Sequence, residues 1–305
     1  MGGCSHPPLP THAPPPTSGE RVEVPRVVVT PDTVTSIDEL YATATRALDA
    51  RDYPRAASGF QRVYELDPNG PRADEALFWR GTAQDLDARP PEALRIYELL
   101  SSRFPNSPHT RTALVRRARL YAYLEQYALA GKVADEALGR FDDLRPFEYI
   151  TLLGAKALAL VVSGDIDRSE YYLEKARTLI EDQRLDAAGT IPRDLAQVYF
   201  ALGETRRVRA ERIRFVPPPA NFAGALEQRC QLILDAQSAY SDTMRAEDAH
   251  WSAMAGYRVG ELYQKLHDDL MQVPPPSSAS SVERAQLFEG AMRLRYSILL
   301  EKARS

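Results

Sequence analysis

The chain has 305 residues, of which 44% are hydrophobic and 26% charged, enough to bury a sizeable core in one elongated or two compact units. A formal charge of −4 gives no global attraction to nucleic acid or to an anionic membrane, and two cysteines, Cys4 and Cys230, exclude a disulfide framework or a cysteine-rich metal site. The longest apolar run, Leu152 to Val162, is interrupted by Lys156 and is too short to span a bilayer.

Residues 1–35 read as a disordered, proline-rich tether. Eight prolines fall between Pro7 and Pro31, and apolar periodicity begins only near Ile37. The start, Met1-Gly2-Gly3-Cys4-Ser5, resembles the end of a bacterial lipoprotein signal, in which small residues precede the cysteine that receives the lipid. The apolar stretch that precedes such a cysteine is missing here. Lipidation at Cys4, N-myristoylation and an incidental cysteine stand side by side, although His6 occupies the place where myristoylation favours Ser or Thr.

From Ser36 the apolar residues recur at helical spacing, and the helices themselves recur. Ala56, Ala93 and Ala130 stand 37 residues apart, in register with Leu40, Leu77 and Leu114 and with Ala44, Gly81 and Ala118. A copy 39 residues further on supplies Leu153, Ala157 and Ser169, and Ala176 matches Ala137, Leu100 and Val63. Small residues mark where two helices of a hairpin approach closely, so Ala44 is expected against Ala56. Phe60, Tyr97 and Leu173 follow the small residue of the second helix by four places and share its face, while Ala134 departs from the pattern. Pro54 and Pro91 suit the first turn of the second helix, and Asp67-Pro68-Asn69-Gly70 and Phe104-Pro105-Asn106-Ser107-Pro108 are turns between repeats.

These positions resemble the tetratricopeptide repeat family, and the long interval is similar to that in bacterial envelope lipoproteins of the outer-membrane assembly type. The resemblance covers about half the chain, residues 36–183, as four helix hairpins. It implies an all-α, right-handed α-α superhelix whose groove is lined by the first helix of each hairpin. Carried onto this register, the groove shows Tyr41 and Asp49, Phe78 and Asp85, and Arg119 and Tyr123. Aromatic rings beside charges suit capture of a peptide segment. About half of the six are expected to pack against a neighbouring hairpin instead.

Residues 184–305 keep a helical pattern but lose the register, which predicts irregular C-terminal hairpins. Val216-Pro217-Pro218-Pro219 and Val273-Pro274-Pro275-Pro276 divide the region into three blocks. Leu202-Gly203 and Val259-Gly260-Glu261-Leu262-Tyr263 each resemble the first helix of a repeat, without a small residue at the expected place afterwards. The middle block, 222–272, is long enough for two helices, with Trp251, Ala255, Val259, Leu262 and Leu266 on one core face; the last carries Leu287, Ala291, Leu294 and Ile298 on another. Arg206, Arg207, Arg209, Arg212 and Arg214 form the one concentrated charge, a candidate patch for an anionic partner, against which stands a solvated surface partly paired by Glu204 and Glu211.

No phosphate-cradling glycine loop, His-Glu-x-x-His pair or glycine-flanked nucleophilic serine occurs. His250 and His267 are 17 residues apart, about 25 Å along one helix, and cannot share a metal without a break between them. Asp165 reads as a helix cap. The expectation is therefore a non-enzymatic scaffold without cofactor or metal, holding other proteins and not nucleic acid. It is placed on the periplasmic face of the outer membrane through lipid on Cys4 and serves an envelope or motility complex; a cytoplasmic regulatory repeat protein is the alternative, and an enzyme or metal-binding protein using the C-terminal half is a further one.

Overall fold

The computed structural model describes residues 36–186 and 191–274, together with Val282, Gln286 and Gly290. Cys4, the proline-rich segment and the apolar face at Leu287, Ala291, Leu294 and Ile298 lie outside the described residues.

Eleven α-helices run through the described residues: α1 Ile37–Asp49, α2 Tyr53–Leu66, α3 Ala73–Leu86, α4 Pro90–Arg103, α5 Pro108–Tyr123, α6 Tyr127–Arg140, α7 Pro146–Ser163, α8 Ile166–Asp182, α9 Ala196–Arg212, α10 Phe222–Arg245 and α11 Ala249–Met271. A single 3-10 turn, Arg193–Leu195, leads into α9, and no strand occurs among the described residues. Their ends follow local chemistry. Asp52, Ser107, Asp165, Asn221 and Asp248 accept backbone N–H groups that the first turn leaves unpaired. Pro54 and Pro91 lie within the first two positions of α2 and α4, and Gly164, at φ +83°, ends α7 in the left-handed region.

Each helix packs on the next in the chain, from α1 on α2 to α10 on α11. A second set of contacts joins α3 to α5, α5 to α7, α7 to α9 and α9 to α11, so the odd-numbered helices from α3 to α11 form one continuous layer. This is an all-α solenoid of tetratricopeptide-like hairpins. The repeat positions explain the close approach: Gly81, Ala93, Ala118, Ala130, Ala157 and Ser169 are all buried, as are Leu77, Leu114 and Leu153 above them. Ser169 donates its hydroxyl to the Ala157 carbonyl across the fourth hairpin at 3.2 Å. In the first hairpin Ala44 is met by Gly59, three residues beyond Ala56; a Cβ on Gly59 would stand 2.7 Å from that of Ala44.

The register does not end with the fourth hairpin. Gly203 of α9 faces the ring of Tyr240 on α10 just as Gly81 of α3 faces Tyr97 on α4. Buried Ala236 precedes Tyr240 by four residues, as Ala93 precedes Tyr97. The residue after each glycine meets the tyrosine hydroxyl, Thr82 at 3.3 Å from that of Tyr97 and Glu204 accepting from Tyr240 at 2.6 Å. α9 and α10 are thus a fifth hairpin, hidden because residues 213–221 lengthen its connection and α10 is long. α11 carries the expected core face, with Trp251, Ala255, Leu262 and Leu266 buried and Val259 partly so.

α7 has a mean hydropathy of 1.3 over 18 residues, enough by length and composition to cross a membrane. Its apolar surface is instead covered by α5, α6, α8 and α9, which makes it the central helix of the core.

Candidate functional site

A cavity of about 710 Å³ opens on the layer of odd-numbered helices. Its lining comes from α3 and the turn after it, from α5, from the first turns of α7, from the start of α9 and from the start of α11. The α3, α5 and α7 contributions belong to the repeats. Arg193, Asp194, Gln197, Asp248 and Trp251 come from the region beyond them, so the site is composite.

Its charges are arranged as arginines over buried carboxylates. Asp85, whose side chain is 9% exposed, accepts both Nη2 contacts of Arg119, at 2.6 and 2.8 Å, and one from Arg116 at 3.3 Å. Arg116 and Arg119 reach the same carboxylate because a three-residue offset puts them on one face of α5. A second cluster stands on Glu148, 8% exposed, which Arg145 grips through its backbone N–H at 3.0 Å and its guanidinium at 2.6 Å, with Arg111 at 3.5 Å. Burial pushes the Glu148 carboxyl up, but these hydrogen bonds and the two guanidinium charges outweigh it and hold the group below the ordinary carboxylate range. The arginine heads remain open to solvent, Arg116 at 29%, Arg119 at 35% and Arg145 at 65%. At Asp85 two guanidinium charges face one carboxylate, whereas at Glu148 Arg111 also binds Asp143 at 2.7 Å, so that cluster is two against two.

The far wall is the corner between α10 and α11. Asp248 caps α11 through the N–H groups of His250 and Trp251, both at 3.1 Å, and binds Arg193 at 2.8 Å. Burial raises its carboxyl, and the Arg193 contact and the two backbone donors bring it below the usual range. His250 stacks on Tyr123 with ring centroids 3.6 Å apart, and Trp251 meets Tyr123 edge-on at 6.4 Å. Burial lowers the His250 imidazole, against the opposing charges of Asp248 and Glu125. In the wall, the almost fully buried Gln197 donates Nε2 to the Thr151 carbonyl at 3.3 Å. That bond fixes the amide's orientation and leaves Oε1 without a partner among the described residues.

Of the six groove residues expected from the repeat register, Asp85, Arg119 and Tyr123 line this cavity. Tyr41 and Asp49 do not. Tyr41 packs edge-on against Phe60 at 5.5 Å beneath the Arg72 guanidinium, and Asp49 is exposed near the end of α1. Phe78 requires a correction: it is 6% exposed and stacks on His109 of α5 at 4.7 Å, beside Tyr97 and Trp79. A ring at that position fills the space between successive hairpins and is not available to a partner.

The arginine cluster of α9 is also drawn into the fold. Arg206 donates to the Asp235 carbonyl of α10, Arg207 pairs with Glu204 and Glu211, Arg209 with Glu170 of α8, and Arg212 with the Gly164 carbonyl. Arg214 is exposed and carries none of these contacts. Arg206 and Arg207 are thus half-buried among neighbouring groups, whereas Arg209, Arg212 and Arg214 keep exposed surface.

Sequence reasoning missed Arg116, Arg145, Glu148, Arg193, Gln197 and Asp248. The i,i+3 pairs Arg116/Arg119 and Arg145/Glu148 were visible signals; the contributions from α9 and α11 carry none, since only packing brings them to α5.

No family model matches the chain, and no curated protein does. Among solved structures, the chain is similar to the crystal structure of a tetratricopeptide repeat protein from Parabacteroides merdae ATCC 43184 at 2.39 Å resolution, with 14% identity over 88% of this chain and 92% of that one and a TM-score of 0.47.

Proposed function

We propose that this protein is a non-enzymatic scaffold that holds an extended segment of another protein in the composite groove. The observation that supports this is the groove's lining: arginine heads pre-oriented on buried carboxylates, next to the rings of Tyr123 and Trp251, give both contact area and directional hydrogen bonds. Pre-orientation lowers the side-chain entropy lost on binding. The repeat layer offers length, and the α10–α11 corner closes one side.

The test is site-specific photo-cross-linking in the source cells, with a photoreactive phenylalanine at Thr112 in the groove and, for comparison, at Arg177 on α8. A discrete protein adduct from Thr112 and none from Arg177 is the expected result. Equal adducts from both positions refute the groove. As a separate part of the reading, Cys4 carries a lipid that tethers the protein at the periplasmic face of the outer membrane, in an envelope or motility complex. Metabolic labelling with a tritiated fatty acid should tag the full-length gene product and fail with Cys4→Ser. Absence of label on the parent protein refutes the anchor and favours the cytoplasmic alternative.

A further inference from the structure

We propose that the groove selects an extended segment carrying both an acidic and a basic side chain, the acid seated on Arg116 and Arg119 and the base on Asp194 and Gln197. This rests on the groove being the partner site.

Charge is balanced over the groove as a whole and unbalanced on either side of it. The lining holds four arginines, Arg116, Arg119, Arg145 and Arg193, against four acids, Asp85, Glu148, Asp194 and Asp248. On the α5 wall Arg116 and Arg119 share the single carboxylate of Asp85. In the middle, at the start of α7, the Glu148 cluster is even. On the far side Arg193 stands against two acids: Asp248, which it binds at 2.8 Å, and its neighbour Asp194, which has no ion pair of its own among the described residues. The groove thus runs from a surplus guanidinium at α5 to a surplus carboxylate in the 3-10 turn before α9.

Gln197 stands on that same far side. It is 3% exposed and follows Asp194 by three residues, which puts the two side chains on one side of the helical start. The bond from Nε2 to the Thr151 carbonyl fixes the amide, so the unpartnered Oε1 stays an acceptor. An unpaired carboxylate and an unpartnered amide oxygen lack donors and positive charge, and a lysine ammonium or arginine guanidinium brings both. At α5 the reverse holds. Arg116 and Arg119 keep N–H donors that Asp85 and the Tyr97 hydroxyl do not use, and an incoming carboxylate supplies the acceptors. A segment with acids alone or bases alone meets a like charge at one of the two seats.

α5 and the start of α9 flank α7, so a segment that reaches both seats lies across the odd-numbered helices. Packed helices stand about 8–10 Å apart, and long side chains at both seats shorten the span between them. Charges three to seven residues apart on an extended chain span about 10–23 Å, which covers that range.

The probes are fluorescein-labelled 12-residue peptides of Gly, Ser and Thr carrying one Lys and one Glu in either order, three, five or seven positions apart. Matched peptides carry two Lys, two Glu, one Lys or one Glu. Binding is read by fluorescence anisotropy on the full chain at about 0.15 M salt, which screens distant charges. The best mixed peptide should bind about tenfold tighter than either doubly charged one. Asp194→Asn should reduce it to the level of the one-Glu peptide, and Arg119→Gln to that of the one-Lys peptide. Gln197→Met should weaken Lys peptides and leave the one-Glu peptide unchanged. Asp194→Lys should turn the preference towards two Glu, a gain that loss of fold cannot produce. The proposal is overturned by a two-Glu or two-Lys peptide that binds as tightly as the best mixed one, by affinities unchanged in both Asp194 variants, or by no binding of any peptide. Cross-linking from Thr112 decides the groove separately: with a discrete adduct the groove stands and only its selectivity is refuted, and without one both fall.

Discussion

Gly203 and Gly260 are both helical glycines, and what faces them gives opposite expectations. A Cβ on Gly203 would lie 2.5 Å from the Tyr240 ring, and that ring is tied in place by its hydroxyl bond to Glu204, whereas nothing stands within 4 Å of Gly260. Gly260→Ala should therefore stabilise the protein by about 0.5–1 kcal/mol through backbone entropy. Gly203→Ala should cost about 1–3 kcal/mol, because overpacking outweighs the same entropic gain. Urea unfolding of the two variants checks the contrast. Glu204 is a second decisive residue: buried, it holds Arg207 at 2.9 Å, Arg258 at 3.1 Å and Tyr240. Glu204→Ala leaves the buried Tyr240 hydroxyl without its acceptor, while Arg207 keeps Glu211 and Arg258 keeps Glu261, and should cost about 1–3 kcal/mol in the same measurement. The sequence marks Glu204 as a partner for neighbouring arginines. It does not show Arg258, which lies 54 residues away and is brought close only when α11 packs on α9.

At the scale of elements, the stability of the α10–α11 corner should depend on pH. His250 is surrounded by Tyr123, Trp251, Asp248 and Glu125, with Arg193 held on Asp248. Its folded-state value lies below 6.5, so the unfolded chain binds the proton more tightly. The stabilisation is full above pH 6.5 and is lost as pH falls through the folded value. Asp248 and Glu148 are depressed below their ordinary values of 3.8 and 4.5 and act in a more acidic window. Melting temperature should thus fall between pH 7.5 and pH 5, and His250→Phe, which keeps a ring on Tyr123 without a titrating group, should flatten that slope. An unchanged slope in the variant removes His250 as its cause. Legibility at this scale was uneven: Asp165 could be read as a cap from its position, whereas the Tyr123–His250 stack joins residues 127 apart and leaves no local trace.

For the whole molecule, the helices after residue 183 are structural and not an appendage. α9 packs along α7, close enough that a Cβ on Gly154 would lie 3.4 Å from the Val198 backbone, and Ile150, Leu153 and Val198 are buried. A solenoid ended at α8 leaves that face of its most apolar helix in water. A fragment of residues 36–183 should therefore elute as aggregate, or melt well below a fragment of residues 36–274, in size-exclusion chromatography and thermal denaturation. Equal stability of the two fragments would show that α7 does not need α9. The same packing makes the groove composite, so the shorter fragment should also lose the cross-link from Thr112 that the longer one keeps.

The sequence by itself determined the helix hairpins, their turns and the small residues at their contacts. Those features depend on spacing within one repeat, and a local steric rule repeated four times stands out from chance. Only the tertiary structure decided which of the expected groove residues face open space. Phe78 and Tyr123 occupy first-helix positions alike, yet one is enclosed by the next hairpin and the other is stacked from outside by His250. Tertiary structure also decided that the conspicuous arginines of α9 are spent between helices, while less conspicuous ones on α5 and α7 stand at the cavity. Whether a charge meets a partner or solvent is set by the neighbours that packing supplies, and those neighbours come from distant parts of the chain.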